Sequence, residues 1–220
     1  MKLSDLTSGS HAGVTSVYGV VVDEPSFVPP EGLKEIGVLV PLDSEGIDEI
    51  DVAISYSMAG VKTILEVPAE KKDVDAPYMV STAANIGVSL SVLPPAGPDG
   101  FDAWVERVCD FARAYLKSGI YAKELLPVTS FMEYMFVEVF ADTSEYAPKD
   151  PYVIDRFVKT MTLEQSDQMK AKLREVIYDH FGGADAFKSF AHAMASRLHV
   201  HIEEGVKKFK ESQQTKPAEQ

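Results

Sequence analysis

The chain has 220 residues, 45% of them hydrophobic and 25% charged, which is the composition of a soluble globular protein with a substantial core. Its formal net charge of −13 opposes binding to nucleic acid or to an anionic membrane through phosphate contacts, so we expect neither partner. The single cysteine, Cys109, excludes an internal disulfide framework and indicates a reducing, cytoplasmic location without a secretory signal.

The first 32 residues are predicted to form an N-terminal extension of the main domain. Residues 1–15 are rich in Ser, Thr and Gly, and we expect them to lack regular structure. The segment from Ser16 to Val22 has the composition of a strand and is a candidate edge strand. Prolines at positions 25, 29 and 30 then separate this extension from the next segment.

Three short apolar runs follow at equal intervals, and each of them ends at a proline. Pro41, Pro68 and Pro95 close the runs and are 27 residues apart. The runs are rich in Val, Ile and Leu and too short for helices, which is typical of buried parallel strands. We therefore predict an α/β domain over residues 33–118, with a small, mainly parallel sheet of three to four strands and flanking helices.

After Gly119 the strand pattern stops, and residues 119–211 predict a C-terminal helical bundle, followed by a disordered tail at 212–220. The segment from Lys123 to Ala141 is rich in Phe and Met, and its broad apolar face predicts either the centre of the bundle or half of an oligomer contact. A second copy of the chain or another protein is the expected partner. Cys109, beside the apolar face of the last helix of the α/β domain, is expected to pack inertly.

Ligands of parallel sheets bind beyond the carboxyl ends of the strands. The polar and small residues at these ends are the candidate ligand-binding set: Asp43, Ser44, Glu70, Lys71 and Gly97. Lys71 and Lys72 suit a small anionic ligand, and their alternative is a solvated loop. Asp43 and Ser44 have a second interpretation as caps of the helix that follows.

The stretch Val38-Leu39-Val40-Pro41-Leu42-Asp43-Ser44-Glu45 resembles the opening strand and loop of universal stress proteins, and the resemblance extends over residues 36–110. It implies an α/β fold that binds a nucleotide, with Asp43 at the adenosine part. The glycine-rich phosphate loop of that family has no counterpart here, because Gly97-Pro98-Asp99-Gly100 follows the third strand instead.

The last predicted helix carries a polar stripe that includes His192, His199 and Glu203. Two imidazole nitrogens and a carboxylate oxygen are candidate metal ligands, although a metal also needs ligands from a facing element. The alternative is a polar flank of a helix contact, in which Glu203 is the i, i+4 partner of His199.

Complete catalytic motifs, nucleophile elbows and phosphate-binding glycine motifs are absent from the sequence, which also indicates no particular cofactor. The leading hypothesis is therefore a non-catalytic cytoplasmic protein that regulates or assembles through protein contacts, gated by a small ligand at the strand ends. One alternative is an enzyme of small molecules that uses the same crevice. The other is a metal-binding protein that uses the C-terminal histidines.

Overall fold

The computed structural model of the chain describes residues 1–9, 11, 13–40, 47–71, 73–93, 100–119 and 162–214. Within them, four parallel strands form one sheet, in the order in which they follow each other along the chain. The strands are β1 (Ser16–Val20), β2 (Glu35–Leu39), β3 (Lys62–Pro68) and β4 (Ser89–Leu93). The predicted α/β class, with a small parallel sheet and flanking helices, is confirmed, and the candidate edge strand is β1.

The repeat in the sequence corresponds to the pairing of β2 with β3. Ile64 lies opposite Gly37, which is one repeat earlier in the chain. On its other side Ile64 lies opposite Ser89, two residues before the position one repeat later. Because successive side chains alternate between the faces, a slip of two residues leaves the apolar face intact.

Helices α2 (Ile47–Met58), α3 (Ala76–Ile86) and α4 (Phe101–Ser118) follow β2, β3 and β4 in turn. Since the strands are in chain order, right-handed crossovers place α2 and α3 on the same face of the sheet. That face is apolar, and its side chains form one core with the helices; the sheet members include Ile36, Val38, Leu65, Val67, Leu90 and Val92. Trp104 of α4 also donates a hydrogen bond from Nε1 to the carbonyl of Val92, at 3.1 Å.

The N-terminal residues are more ordered than their composition indicates. A short helix, α1 (Leu3–Thr7), buries Leu3 and Leu6, so the prediction that residues 1–15 lack regular structure is wrong for this segment. The backbone N–H of Leu3 donates to the carbonyl of Val21, and the N–H of Val21 donates to the carbonyl of Met1, both at 2.9 Å. Two leucines three residues apart and pairing beside β1 therefore outweigh the local Ser and Gly content.

Two helices are described in the C-terminal part, α5 (Leu163–Phe181) and α6 (Ala184–Gln214). The Thr162 hydroxyl accepts from the Gln165 N–H, and the Gln165 side chain accepts from the Thr162 N–H, which completes a capping box at the start of α5. α5 packs on α4 and on α6. Its buried residues join the core of the α/β part: Met169, Leu173, Val176 and Ile177.

The segment from Lys123 to Ala141 lies outside the described residues, so its predicted role in a bundle or an oligomer stays a prediction. α6 continues to Gln214, beyond the predicted boundary at residue 211, and residues 215–220 also lie outside. Of the helices that the structure describes, none has the length and apolar composition needed to cross a membrane.

Candidate functional site

The sheet face opposite α2, α3 and α4 has polar residues at its centre. Glu66 of β3 lies opposite Ser91 of β4, and registered neighbours in a sheet point to the same side. Glu66 has no solvent exposure and Ser91 is also buried. Ile64, two residues before Glu66 on the same face, is buried as well but does not belong to the apolar core. The sheet therefore has two buried faces of different chemistry.

The Glu66 side chain extends sideways across β2. A Cβ atom placed on Gly37 would lie 2.6 Å from the carboxyl carbon of Glu66 and 2.8 Å from each of its oxygens. Such distances are shorter than real side-chain contacts, so the carboxylate occupies the volume that a side chain at position 37 would fill. On the far side of β2, the backbone N–H of Gly19 donates to Oε2 of Glu66 at 2.7 Å. The side chain of β3 thus reaches β1.

An irregularity in β1 provides the hydrogen-bond donor for the Glu66 carboxylate. The pairing of β1 with β2 shifts between Val17 and Val20, so β1 has one residue more than β2 over this stretch. Gly19 lies within the shift and has a φ of 66°, the left-handed conformation that glycine adopts without strain. The bulge removes its N–H from the regular ladder, and the Glu66 carboxylate is its acceptor.

Sequence reasoning missed Glu66, although a signal was present. The residue is the only charged one in the otherwise apolar run from Ile64 to Val67. A carboxylate inside a strand that is buried on both faces requires hydrogen-bond donors from the neighbouring strands. Gly37 likewise interrupts the preceding apolar run. The two residues are related, because the Glu66 carboxylate occupies the space that a side chain at position 37 would fill.

The amino ends of the strands on this face carry paired charges. Glu35 of β2 and Lys62 of β3 lie opposite each other in the register and form an ion pair of 3.0 Å. The hydroxyl of Tyr18 donates to the other carboxylate oxygen of Glu35. These contacts connect β1, β2 and β3 at the amino edge, and they give Glu35 and Lys62 a structural role.

The carboxyl end of β3 leads into the loop that carries two of the predicted ligand residues. The backbone N–H of Lys71 donates to the carbonyl of Pro68 at 3.1 Å, which closes a tight turn. Glu70 is exposed at this turn, whereas Lys71 retains only 5% of its exposure. The two neighbours therefore differ sharply in their contact with water.

Contacts further along hold the same loop in place. The guanidinium of Arg107 on α4 donates to the carbonyl of Val74, and it lies over the ring of Phe111, 5.0 Å from the centroid. Asp75 then caps α3 by accepting from the N–H of Tyr78 at 3.0 Å. The segment from Ala69 to Asp75 is consequently anchored both to α3 and to α4.

The other predicted ligand residues, Asp43, Ser44 and Gly97, lie outside the described part of the chain, so their role stays a prediction. The same holds for the resemblance to universal stress proteins, which depends on Asp43. Of the predicted ligand set, Glu70 and Lys71 are the two that the structure describes, and they are adjacent at one turn.

The predicted metal ligands lie on α6. His192 and Glu203 are exposed, and the side chain of His199 is outside the described part. The hydroxyl of Ser196 donates to the carbonyl of His192 at 2.9 Å, within its own helix. Among the described residues, His, Cys, Asp and Glu side chains form no group of three that could hold a metal ion. A metal role for His192, His199 and Glu203 stays a prediction.

Cys109 is buried in α4, as expected, and the lack of solvation raises the pKa of its thiol to about 11. A thiol with this pKa is protonated at neutral pH, which makes it a poor nucleophile. The described residues thus provide a buried carboxylate on one sheet face and a largely buried lysine side chain after the carboxyl end of β3, without an activated nucleophile among them. Comparisons of the chain with protein-family models, with curated proteins and with solved structures give no match.

Proposed function

We propose that the protein is a non-catalytic cytoplasmic assembly or regulatory protein, and that α6 forms its contact with a second copy of the chain. The observation that carries this proposal is the burial along α6. Phe187 and Ala191 near its beginning belong to the core. The described side chains beyond Ala191 are exposed: His192, Ala193, Ser196, Val200, Glu203, Glu204, Val206, Lys207, Lys208 and Lys210.

A helix of 31 residues is about 46 Å long, at about 1.5 Å per residue. Isolated helices are marginal in water and gain most of their stability from packing. The exposed part of α6 includes Val200 and Val206, which keep 53% and 48% of their surface. A partner that covers this part would supply the packing that a long helix needs.

The order of charges along α6 favours a second copy in the antiparallel direction. Glu203 and Glu204 precede Lys207, Lys208 and Lys210. In an antiparallel pair centred near Val206, the acidic segment of each helix lies beside the basic segment of the other. In a parallel pair, like charges would meet, and like charges at such positions are destabilising. Charge complementarity therefore supports a symmetric dimer.

The cytoplasmic location is supported by the unpaired, protonated Cys109. The excess of acidic over basic residues, 34 against 21, disfavours nucleic acid as a partner. Both points agree with a protein that acts on other proteins in a reducing compartment.

The test is the mass of the full chain in solution, measured by light scattering after size exclusion at about 1–100 µM protein. We expect a dimer. Glu203→Lys with Glu204→Lys should shift the mass to the monomer, because lysines then face lysines. Adding Lys207→Glu and Lys208→Glu should restore the dimer, since the charge order is then reversed in both copies. The matched control is Glu175→Lys with Asp179→Lys on the exposed side of α5, which should remain dimeric.

Circular dichroism and the fluorescence of Trp104, the single tryptophan, show whether each variant is folded, because Trp104 is buried in the core. A folded wild type that stays monomeric across the range contradicts the proposal. So does a Glu203→Lys, Glu204→Lys variant that keeps the mass of the dimer.

A further inference from the structure

The sheet face that carries Glu66 is buried, although the helices of the α/β part lie on the other face. Ile64 keeps 1% of its exposure, Glu66 keeps none and Ser91 keeps 3%. Among the described helices, α2, α3 and α4 are the ones that pack closely on the strands. Because a sheet separates its two faces, these helices do not cover the face of Glu66, and its burial requires a further layer of protein.

The orientation of the Glu66 side chain makes this face suitable for an apolar layer. The carboxylate lies over Gly37 and accepts a hydrogen bond from β1, so its charge is directed along the sheet and not away from it. Ile64 and the half-buried Leu39 and Leu93 lie on the same face. The surface of this face is therefore shallow and largely apolar, which allows a helix with a broad apolar side to approach closely.

The helices α4 and α5 run in the same direction. The side chain of Gln168 donates to Asp102 at 2.9 Å, and Lys172 forms an ion pair with Glu106 at 3.8 Å. Both helices advance by four residues between these two contacts, which is the signature of parallel packing. The chain must therefore return along the whole of α4, about 27 Å for its 18 residues, before α5 begins.

This return has a defined direction relative to the sheet. α4 begins near the carboxyl ends of the strands, where Trp104 donates to the carbonyl of Val92, so the return leads from the amino edge to the carboxyl edge. It falls to the 42 residues from 120 to 161, whereas every other part outside the described residues has at most six. The Phe- and Met-rich segment Lys123–Ala141 has 19 residues, and a helix of that length spans about 28 Å.

We infer that the face around Ile64, Glu66 and Ser91 is the docking surface of the segment Lys123–Ala141 of the same chain. The sheet is then the middle layer between two layers of helices, a common solution for parallel sheets that are buried on both sides. Of the two roles that the composition of this segment indicates, the inference selects the internal one. It is independent of the contact proposed for α6, which involves other residues.

The experiment is disulfide cross-linking of the full chain in a Cys109→Ala background, in which the introduced cysteines are the only ones. Ser91→Cys is combined in turn with one cysteine at each of four positions on the apolar side of the segment: Val128→Cys, Met132→Cys, Met135→Cys and Val139→Cys. After mild oxidation, at least one pair should form a bridge within the chain, because a bridge requires Cα atoms within about 7 Å. Electrophoresis without reductant and the intact mass distinguish bridges within a chain from bridges between chains.

The matched controls are Ser130→Cys and Val137→Cys, which lie on the opposite side of the same predicted helix and should not form a bridge with Ser91→Cys. The absence of bridges from all four positions, or equal bridging from the controls, would overturn the inference. Bridges between chains would assign the face to a second copy and overturn it as well.

Thiol labelling gives a second measurement that does not require an exact geometry. Ser91→Cys in the Cys109→Ala background should react slowly, and adding Met132→Ser with Met135→Ser should accelerate its reaction by about tenfold or more. With Ser91 and Cys109 both native, the same two serine substitutions should leave the buried Cys109 slow to react, which distinguishes local exposure from unfolding. An unchanged rate at Ser91→Cys in the folded variant would contradict the proposed cover.

Discussion

Gly37 and Glu66 share one volume: the carboxyl carbon of Glu66 lies 2.6 Å from the position that a Cβ of residue 37 would take. The Glu66 side chain of β3 can therefore adopt this position only because residue 37 of β2 is a glycine. This position also lets the carboxylate from β3 accept the N–H of Gly19 on β1, so that a single side chain connects three strands.

Gly37→Ala should lower the free energy of unfolding by about 1–3 kcal/mol, since the new methyl group must displace a buried carboxylate. Urea denaturation followed by circular dichroism measures the change. The double variant Gly37→Ala with Glu66→Ala should be more stable than the sum of the two single changes predicts, because the methyl then finds space. Strictly additive effects would contradict the shared volume.

Replacement of Glu66 should separate its charge from its role as an acceptor. Glu66→Gln keeps an oxygen for the Gly19 N–H, whereas Glu66→Leu leaves that N–H without its acceptor and should cost about 1–3 kcal/mol. Hydrogen exchange of the Gly19 amide provides the specific reading. It should accelerate strongly in Glu66→Leu and much less in Glu66→Gln, and equal protection in both variants would refute the bond.

Cys109 should make the protein less stable at alkaline pH. Burial raises the pKa of its thiol to about 11, above the value of about 8.5 in an unfolded chain. Between these values the unfolded state releases a proton that the folded state keeps, so the stabilisation is complete below about pH 8.5 and is lost as the pH rises towards 11. Relative to Cys109→Ala, the wild type should lose up to about 3 kcal/mol over this window.

The control for other alkaline titrations is the Cys109→Ala protein itself, which retains every lysine and tyrosine. A thiol reagent at neutral pH gives a second measurement, since Cys109 should react at the rate of unfolding and not at the rate of a free thiol. Immediate reaction of the folded protein would show that the thiol is accessible.

Protonation of Asp23 at low pH should weaken the hydrogen bonds that attach α1 to the segment after β1. The Asp23 carboxylate accepts from the hydroxyl of Ser4 at 2.6 Å and from the Ser4 N–H at 3.0 Å, and these bonds lower the pKa of Asp23. For a carboxyl with a lowered pKa, the stabilisation is present above the unfolded value of 3.8 and is lost as the pH falls through the folded value. Amide exchange of Leu3 should therefore lose protection in acid, and Asp23→Asn should lose part of it already at neutral pH.

The sequence predicts the parts of the fold that depend on local patterns. The repeated prolines and aliphatic runs predict β2, β3 and β4, and all three strands are present in the sheet. Composition gave a wrong prediction for α1, which it assigned to a segment without regular structure. This helix is stabilised by long-range contacts, namely the packing of its leucines and the pairing of residues 1–3 with Val21. The periodicity of a single strand gives no partner for Glu66, because its donor is 47 residues away in the chain.

For the candidate site, too, the sequence predicts the local features but not those that depend on long-range contacts. Position in the sequence placed Lys71 at a strand end, since a loop after an aliphatic run is a local feature. The burial of Lys71 and the exposure of Glu70 beside it depend on how the turn packs, and adjacent charged residues look alike in a sequence. Only the three-dimensional packing of the loop distinguishes the largely buried Lys71 from the exposed Glu70.

The pairing of residues 1–3 with Val21 has a consequence for how the molecule behaves when crowded. An outermost strand offers free backbone groups to which strands from other molecules can add, and this is a common start of aggregation. Here the N–H and the carbonyl of Val21 are already bonded to Leu3 and Met1. The register shift around Gly19 also interrupts the regular ladder of β1, and both features disfavour the addition of a further strand at this edge.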